Sequence, residues 1–365
     1  MSGIVRVLVT PRDDNPYQEL LYSHMPGDQV VVTYLDGPTR SQSLNLLLAP
    51  IVLGWYRLMR YRVLHIHWLF KFSLPWARGA AAARLVMQWW FRLYLDVAHA
   101  LGYRIVWTAH DIMPHEQVFY DDDRALGILL RRADAVIALS PASSRELARR
   151  GAHQLQVVPF GPFLSPGVEL PPREPARRLL QLDDGDCLVV SVGKVEPYKG
   201  VDVLLRAVGR LLEQSRVKVV VAGACRDEDY RRTVLEAARL AGPRATLHLE
   251  RISDEELGLL LAAADFAAIA FVEVTNSSAA LTALAFGVPL IVPALESLSD
   301  LPDQCVIRFP AGDAGLSSAL DRCALMPAPE RRAMSDAARA HAASADWSAI
   351  AQTTLGLYDE IVTRR

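Results

Sequence analysis

The chain has 365 residues, 51% of them hydrophobic and 22% charged, so it is long enough to bury the cores of two domains. Its formal net charge of −2 excludes a generally basic nucleic-acid-binding protein. The N-terminal stretch MSGIVRVLVT lacks the pattern of a signal peptide, and no segment reaches about 18 uninterrupted apolar residues, so we predict no spanning helix. The sequence therefore predicts a cytoplasmic protein that is either soluble or held at a membrane surface.

Strand and helix patterns alternate through the first half of the chain. IVRVLVT, VVVTYL, VLHIHWLF and RIVWTAHD predict strands, and ARGAAAARLVMQWWFRLYLDVAHALG predicts a long helix between the last two. After the strand AVIALS, Ser140 and Pro141 start the helix PASSRELARRG, which Gly151 ends. This alternation predicts an α/β fold with a parallel sheet, whose ligands bind at the carboxyl ends of the strands.

Three polar loops follow these strands and are the first candidate sites. Their polar and aromatic residues are Arg12, Asp13, Asp14, Asn15 and Tyr17 after the first strand, His67, Trp68 and Lys71 after VLHIH, and His110, Asp111, His115 and Glu116 after RIVWT. A metal site in the third loop is disfavoured, because its two histidines lack helical i, i+4 spacing and Pro114 breaks a helix there. General acid–base chemistry and sugar-hydroxyl contacts fit better. The alternative is a polar strand-end loop followed by a helix-capping cluster at Asp121–Asp123.

Basic and aromatic residues are concentrated between residues 37 and 109. This window holds nine basic residues, six of the seven tryptophans and a single acid, Asp96. Arginine and tryptophan around apolar helices favour contact with an anionic membrane surface, which we assign to region 44–95. The alternative is that the tryptophans form helix core and the arginines are solvated.

Residues 159–175 carry six prolines and no periodic pattern, which predicts a domain junction. Beyond it the strand–helix alternation starts again with DCLVVSVG and GVDVLLRAVGRLLEQ. We therefore predict two domains with the same architecture, residues 1–165 and 166–345. Residues 346–365 form a C-terminal helix that can cross back to the first domain. The four cysteines show no CxxC pair and no metal-ligand spacing, so buried free thiols are expected.

Two loops of the second half predict a diphosphate site. In VGKVEPYKG, Gly193 and Gly200 permit a tight turn, and Lys194 and Lys199 supply cations. In FVEVTNSSAALTALAFGVPLIVP, Ser277 or Ser278 caps a helix whose free N–H groups attract phosphate. The order of a P-loop is absent, and the alternative for the lysines is a solvated surface turn.

SVGKVEPYKGVDVLLRA, ALSPASSRELARRG…VVPFG and DWSAIAQTTLGLYDEI together resemble the two-domain nucleotide-sugar glycosyltransferases of the GT-B fold. The resemblance covers nearly the whole chain and implies two Rossmann-like domains with parallel sheets facing across a cleft. It implies that the second domain binds the nucleotide and its diphosphate, with Lys194 and Lys199 contacting the diphosphate. From the residues themselves we further expect His110 to contact the donor sugar and Glu273 to bind a sugar or ribose hydroxyl. The expected diphosphate site also includes Gly193, Thr275, Asn276, Ser277 and Ser278.

The chain departs from the large retaining branch of these enzymes. The retaining enzymes carry two glutamates in a motif, and the corresponding positions in this chain are Val274 and Thr282. Glu273 lies one residue from the first of these positions. HIHW…VWTAHDIMPHE is more similar to bacterial GDP-mannose:glycolipid 4-β-mannosyltransferases (glycosyltransferase family 94). That resemblance implies inverting transfer of mannose to a lipid-diphosphate-linked oligosaccharide in exopolysaccharide assembly, at the cytoplasmic face of the inner membrane.

An inverting transfer needs one base to deprotonate the acceptor hydroxyl and cations to stabilise the departing diphosphate. The candidate catalytic residues are Asp111, Glu116 and His115, with Asp13 or Asp14 as further candidates for the base. No metal site and no cofactor beyond the nucleotide sugar are predicted. The alternatives are a retaining GT-B transferase with another nucleotide sugar, a nucleotide-sugar epimerase or phosphorylase, and a non-catalytic glycan-binding protein.

Overall fold

The computed structural model describes residues 4–13, 15–35, 42–69, 81–114, 117–163, 171–272, 277–343 and 345–364. The chain divides into two compact units. The first contains Met1–Phe160 together with Trp347–Arg365, and the second contains Gly161–Asp346. The C-terminal helix therefore belongs to the same unit as the N-terminal strands.

The first unit is a parallel six-stranded sheet with strand order β2-β1-β3-β4-β5-β6. Its strands are β1 (Val5–Thr10), β2 (Val30–Tyr34), β3 (Val63–Ile66), β4 (Arg104–Ala109), β5 (Ala135–Ala138) and β6 (Leu155–Val157). Its helices are α1 (Pro16–Ser23), α2 (Gln42–Leu58), α3 (Ala81–Ala100), α4 (Asp122–Arg132), α5 (Pro141–Arg149) and α13 (Trp347–Thr363). The strand order reverses between β1 and β3, and such a switch point opens a crevice at the carboxyl ends of the strands.

The second unit is also a parallel six-stranded sheet, with order β12-β11-β10-β7-β8-β9. Its strands are β7 (Cys187–Val192), β8 (Val217–Ala222), β9 (Ala245–His248), β10 (Phe266–Ala268), β11 (Leu290–Pro293) and β12 (Val306–Phe309). Its helices are α6 (Arg173–Leu179), α7 (Val201–Gly209), α8 (Glu228–Ala241), α9 (Asp254–Ala263), α10 (Ser278–Ala285), α11 (Asp313–Leu325) and α12 (Ala328–Ala342). Here the order reverses between β7 and β10, the arrangement of a Rossmann fold.

The central strands are buried on both faces, which explains their nearly continuous apolar sequences. Every residue of β3 and β5 is buried, and Trp107 on β4 is fully enclosed. In α3, the buried residues Met87, Phe91 and Leu95 recur every four positions and pack toward the same core. The predicted α/β class with two Rossmann-like domains is confirmed.

Local signals in the sequence mark the starts of several helices. Ser140 caps α5 as predicted, Asp121 caps α4, and Ser253 and Glu256 form a capping box at the start of α9. All four cysteines are buried and free. In the described part of the chain, no helix is long and apolar enough to span a bilayer.

Two assignments were wrong. The stretch PYQELL was taken as part of a polar loop but forms α1, because Asn15 caps it and Pro16 occupies its first position. The proline-rich junction was expected to lack structure to residue 175, yet α6 begins at Arg173. In α6, the buried Ala176 and Arg177 face the unit, and the guanidinium of Arg177 pairs with Asp265 at 3.2 Å.

Candidate functional site

In the second unit, the turn between β7 and α7 is tightly packed at its two glycines. Gly200 has φ +62°, and a Cβ atom there would lie 2.1 Å from the carbonyl oxygen of Ala270. Gly193 has φ +105°, and a Cβ there would lie 3.2 Å from Nζ of Lys199. Gly200 therefore requires glycine for the close approach of the backbone, and the positive φ of Gly193 favours glycine at a position where Lys199 packs closely.

The loops that follow β7 and β10 are joined directly. The N–H of Val272 donates to the carbonyl of Tyr198 at 2.9 Å, and Nζ of Lys199 lies 5.9 Å from the ring centroid of Phe271. Because β7 and β10 are neighbours at the switch point, these loops lie at the position where Rossmann sheets bind ligands. The structure thus brings Gly193, Lys199 and the start of the second predicted loop together.

The two lysines of the first loop differ in environment. Lys194 is exposed, whereas the side chain of Lys199 is half-buried against Phe271. Burial lowers the pKa of Lys199 to about 8, with nearby Lys194 lowering it further and Glu196 opposing the shift. A bound anion would restore the ammonium form, so this lysine is suited to hold a phosphate.

Helix α10 begins after the second loop. The Ser277 side chain accepts a hydrogen bond from the N–H of Ala280 at 3.1 Å, so Ser277 is the cap, and Ser278 is the first helical residue. Thr282, at the position of a motif glutamate in the retaining enzymes, is 4% exposed and its Oγ1 accepts the N–H of Phe163 at 3.0 Å. Glu273, Thr275 and Asn276 lie outside the described residues.

In the first unit, polar side chains from four elements meet at the carboxyl ends of β3 and β4. Nδ1 of His67 lies 3.1 Å from Nε2 of His110, and Nε2 of His67 lies 2.8 Å from Oη of Tyr22 on α1. Oη of Tyr22 also lies 2.9 Å from Nδ1 of His65. The same nitrogen is 2.5 Å from Oη of Tyr358 on α13. Oγ1 of Thr108 lies 2.7 Å from Nε2 of His65. We call these six residues the histidine chain: Tyr22, His65, His67, Thr108, His110 and Tyr358.

The aromatic rings around His110 hold it in a defined orientation. Trp68 stacks on its imidazole with centroids 4.2 Å apart, and Tyr17 meets it edge-on at 4.6 Å. Trp68 is only 9% exposed, so its assignment to a membrane-facing group was wrong. Tyr17, expected in a polar loop, is 1% exposed on α1.

Burial keeps His65 and His67 of the histidine chain neutral. It lowers the pKa of His65 to about 3, and it lowers the pKa of His67 well below its usual value with help from repulsion by His65 and His110. Burial also raises the pKa of Tyr22 and of Tyr358 far above the usual range. These four groups therefore exchange hydrogen bonds as uncharged donors and acceptors.

The candidate catalytic residues are only partly described. Asp111 follows His110 directly and is exposed, whereas His115 and Glu116 lie outside the described residues. Asp13 accepts the N–H of Asn15 at 2.8 Å and stabilises the turn before α1; Asp14 is not described. Among the described residues, no group of three or more His, Cys, Asp or Glu side chains could hold a metal ion.

Sequence reasoning identified His67 and His110 but missed the rest of the histidine chain. The HIH pattern was a usable signal for His65, because alternate residues of a strand share one face. For Tyr358 no local signal exists, since it lies 293 positions from its partner His65.

Comparison with known proteins defines the class. Residues 172–339 match the family described as glycosyl transferases group 1, and residues 2–161 match the glycosyl transferase 4-like domain. The two matches together cover most of the chain. The first match ends at residue 161, next to the boundary between the two units at Phe160. The chain belongs to the group 1 glycosyltransferases of GT-B type.

Individual relatives are more distant. The D-inositol 3-phosphate glycosyltransferase of Stackebrandtia nassauensis is 27% identical over 329 residues, which are 84% of this chain and 69% of that protein. D-inositol 3-phosphate glycosyltransferase 2 of Catenulispora acidiphila is 25% identical, over 98% of this chain and 81% of its own length. 

Among solved structures, sucrose-phosphate synthase from Thermosynechococcus elongatus has a TM-score of 0.73 at 18% identity, over 98% of this chain and 99% of that one. The HepE protein of Anabaena in complex with UDP has a TM-score of 0.70 at 17% identity, over 98% of this chain and 100% of that one. These similarities show the fold.

Proposed function

We propose that this glycosyltransferase moves mannose from GDP-mannose, with inversion, to a lipid-diphosphate-linked oligosaccharide in bacterial exopolysaccharide assembly. The observation that supports the donor site is the hydrogen bond from the N–H of Val272 to the carbonyl of Tyr198. This bond holds the loop containing Lys199 against the loop that leads to α10. The choice of mannose and of a lipid-linked acceptor is supported by the resemblance of HIHW…VWTAHDIMPHE to the β-mannosyltransferases.

In this proposal the donor diphosphate binds at the carboxyl ends of β7 and β10. Lys194 and Lys199 neutralise it, Gly193 lets it approach the backbone, and the N–H groups at the start of α10 complete the site. The remaining donor-site residues of the proposal are Glu273, Thr275, Asn276, Ser277 and Ser278. Since lysines supply the positive charge, we expect transfer without a metal ion or any other cofactor, so activity should persist in EDTA.

The first unit would supply the reacting groups. Asp111 is the leading candidate for the base that deprotonates the acceptor hydroxyl, because it is a solvent-accessible carboxylate at the carboxyl end of β4. Glu116 and His115 remain alternatives for this role. His110 would contact the donor sugar.

The donor site can be tested by calorimetric titration with GDP and UDP at pH 7 and pH 9.5. Lys199→Met should weaken binding about 10- to 100-fold, the loss of a charge-assisted hydrogen bond. Lys218→Met, which removes a lysine from β8, is the control and should bind normally. Wild-type affinity should fall as pH rises through about 8, because Lys199 loses its proton there. Unchanged binding by Lys199→Met at both pH values would refute the site.

A second candidate acceptor is a soluble phosphorylated polyol. The observation that favours it is the similarity to relatives named D-inositol 3-phosphate glycosyltransferases. Thr282 argues against a shared retaining mechanism, because it occupies the position of a motif glutamate and its hydroxyl is engaged by Phe163. Incubation with each acceptor and GDP-mannose, followed by mass spectrometry of the product, distinguishes the two.

We further propose that the protein works in the cytoplasm, attached peripherally to the inner membrane. The supporting feature is an exposed apolar face on two helices of the first unit, formed by Leu44, Leu47, Ile51, Trp55 and Leu58 on α2 and by Leu85, Val86, Trp89 and Leu93 on α3. On α2 these residues recur every three or four positions, so they share one side of the helix. Ile51 is 71% exposed and Leu58 81%, values unusual for neighbouring large apolar residues.

The charges beside this face favour binding to a bilayer that contains anionic lipids. The guanidinium of Arg92 lies 5.9 Å from the ring centroid of Trp89, a pairing of cation and amphipathic ring suited to the lipid headgroup region. Asp96, the only acid on α3, is neutralised by Arg132 at 2.5 Å. A negatively charged surface would therefore meet little repulsion here.

Flotation with phosphatidylglycerol vesicles at low salt tests the attachment. Wild-type protein should float, and Ile51→Asp combined with Trp89→Asp should remain in solution. Leu240→Asp is the matched control, since Leu240 is 66% exposed but lies on α8 of the second unit. Failure of the wild type to float, or flotation of the double variant, would contradict the proposal.

A further inference from the structure

Three other rings hold the imidazole of His110. Trp68 stacks on it with centroids 4.2 Å apart and planes inclined by 14°, and Tyr17 lies perpendicular to it at 4.6 Å. Nε2 of His110 lies 3.1 Å from Nδ1 of His67, so a hydrogen bond joins these nitrogens whichever ring donates. The imidazole therefore keeps one orientation, because rotation about χ2 would break the stack and the hydrogen bond together.

Tyr17 is fixed in turn by the C-terminal helix. Asn15 caps α1 and places Tyr17 in its first turn, where the residue is only 1% exposed. The indole of Trp347 packs against the ring of Tyr17 at 5.4 Å with planes inclined by 76°, a favourable edge-to-face geometry. Trp347 is itself buried and is the first residue of α13. Direct contacts therefore run from α13 through Tyr17 to His110.

Helix α13 reaches this region at two points on one face. Trp347 and Tyr358 are about three turns apart, so their side chains leave the helix in nearly the same direction. Trp347 contacts Tyr17, and Oη of Tyr358 lies 2.5 Å from Nδ1 of His65 in the histidine chain. The segment by which the chain returns to the first unit thus packs beneath the carboxyl ends of its central strands.

We propose that Trp347 and Tyr17 are positioning residues that hold His110 in the orientation in which it contacts the substrate. They act through packing, by fixing the plane of the imidazole against Trp68. The orientation is a property of the first unit alone, whereas its value for transfer rests on the proposed function, in which His110 contacts the donor sugar. Misplacement of such a group by about 1 Å can slow a reaction by roughly 10²-fold.

The orientation of His110 can be read without any substrate. Protons above the face of an indole resonate upfield, so the Cε1–H signal of His110 should be shifted upfield in full-length protein labelled with ¹³C at histidine. His110→Asn assigns the signal by its loss, and Trp68→Leu gives its position without the indole. Trp347→Leu and Tyr17→Leu should each move the signal toward that position. The double variant should move it little further, because both act through the same contact.

Phe91→Leu is the matched control. It also removes a buried ring, which pairs with Phe119 at 5.3 Å in the core of the same unit. This variant should lose thermal stability as Trp347→Leu does but leave the His110 signal in place. Trp347→Phe keeps a ring at this position and should retain the wild-type signal. A His110 signal unmoved in Trp347→Leu and Tyr17→Leu, or moved equally by Phe91→Leu, would refute the positioning role.

Transfer kinetics test whether this orientation matters for catalysis. Trp347→Leu should lower kcat about 10- to 100-fold, and Trp347→Phe should restore it. GDP affinity should stay unchanged, because the proposed diphosphate site lies in the second unit. A His110 signal that moves while kcat stays at the wild-type value would overturn the catalytic part of the proposal. If the wild-type protein transfers no mannose, the proposed function fails, whereas the His110 signal still tests the positioning role.

Discussion

Lys194 and Lys199 lie in the same turn, yet their environments differ. Lys199 packs against Phe271, and burial lowers its pKa to about 8, whereas Lys194 is exposed. The sequence predicted both as cations of one loop. It could not separate them, because the residue that buries Lys199 arrives from the loop after another strand.

Asp111 is the residue whose replacement tests the proposed base. Asp111→Asn keeps the size of the side chain but removes its basicity, so transfer should slow by about 10²- to 10⁴-fold while GDP affinity stays unchanged. The measurement is the transfer rate with purified lipid acceptor under saturating donor. A rate near that of the wild type would exclude Asp111 and direct the search to Glu116 or His115.

His65 makes the first unit sensitive to acid. Its pKa is about 3 in the folded state and about 6.5 when unfolded, so below pH 6.5 protons bind preferentially to the unfolded chain and stability falls with pH. By pH 5 the loss from His65 alone is about 2 kcal/mol.

Denaturant titrations at pH 7.5 and pH 5 measure this loss by tryptophan fluorescence, which reports only the first unit because all seven tryptophans belong to it. His65→Gln should reduce the pH dependence, whereas His153→Gln, at an exposed position, should leave it unchanged. Equal pH dependence in the wild type and His65→Gln would contradict the assignment.

At the scale of elements, the sequence predicted what local chemistry determines. Serine and aspartate caps located the starts of α4, α5 and α10. Helix α1 was missed because PRDDN is strongly polar and the apolar part of PYQELLYS is short. The order of the strands was not predictable, since it depends on packing between segments far apart in the chain.

Gly200 lies just before α7, and its close approach to Ala270 holds the loops after β7 and β10 together. Gly200→Ala should push its Cβ into the carbonyl of Ala270, separate the loops after β7 and β10, and lower both thermal stability and GDP affinity. Gly151→Ala is the control: it also has positive φ, +85°, but no neighbouring atom lies within 4 Å of the added Cβ.

Both variants share the backbone strain of a non-glycine residue at positive φ, about 1 kcal/mol, so the excess effect of Gly200→Ala measures the lost close approach. Equal losses of stability in the two variants, with GDP affinity retained in both, would mean that the contact with Ala270 does not organise the site.

At the scale of the whole molecule, the sequence predicted the α/β class and two Rossmann-like units, because strand–helix alternation and the glycosyltransferase motifs extend over most of the chain. It also predicted that the lysine loop and the loop before α10 form one diphosphate site. It could not predict the histidine chain, which requires α13 to pack beside β3 and so joins Tyr358 to His65. Long-range contacts of this kind leave no periodic signal.

The anomeric configuration of the product tests the central claim most directly. The protein should be incubated with GDP-mannose, in which mannose is α-linked, and a purified lipid-diphosphate-linked acceptor, and the new linkage read by NMR from its one-bond C1–H1 coupling. Our account predicts a β-mannoside formed equally well in EDTA. An α-linked product, or no mannose transfer under conditions where another nucleotide sugar is used, would contradict it.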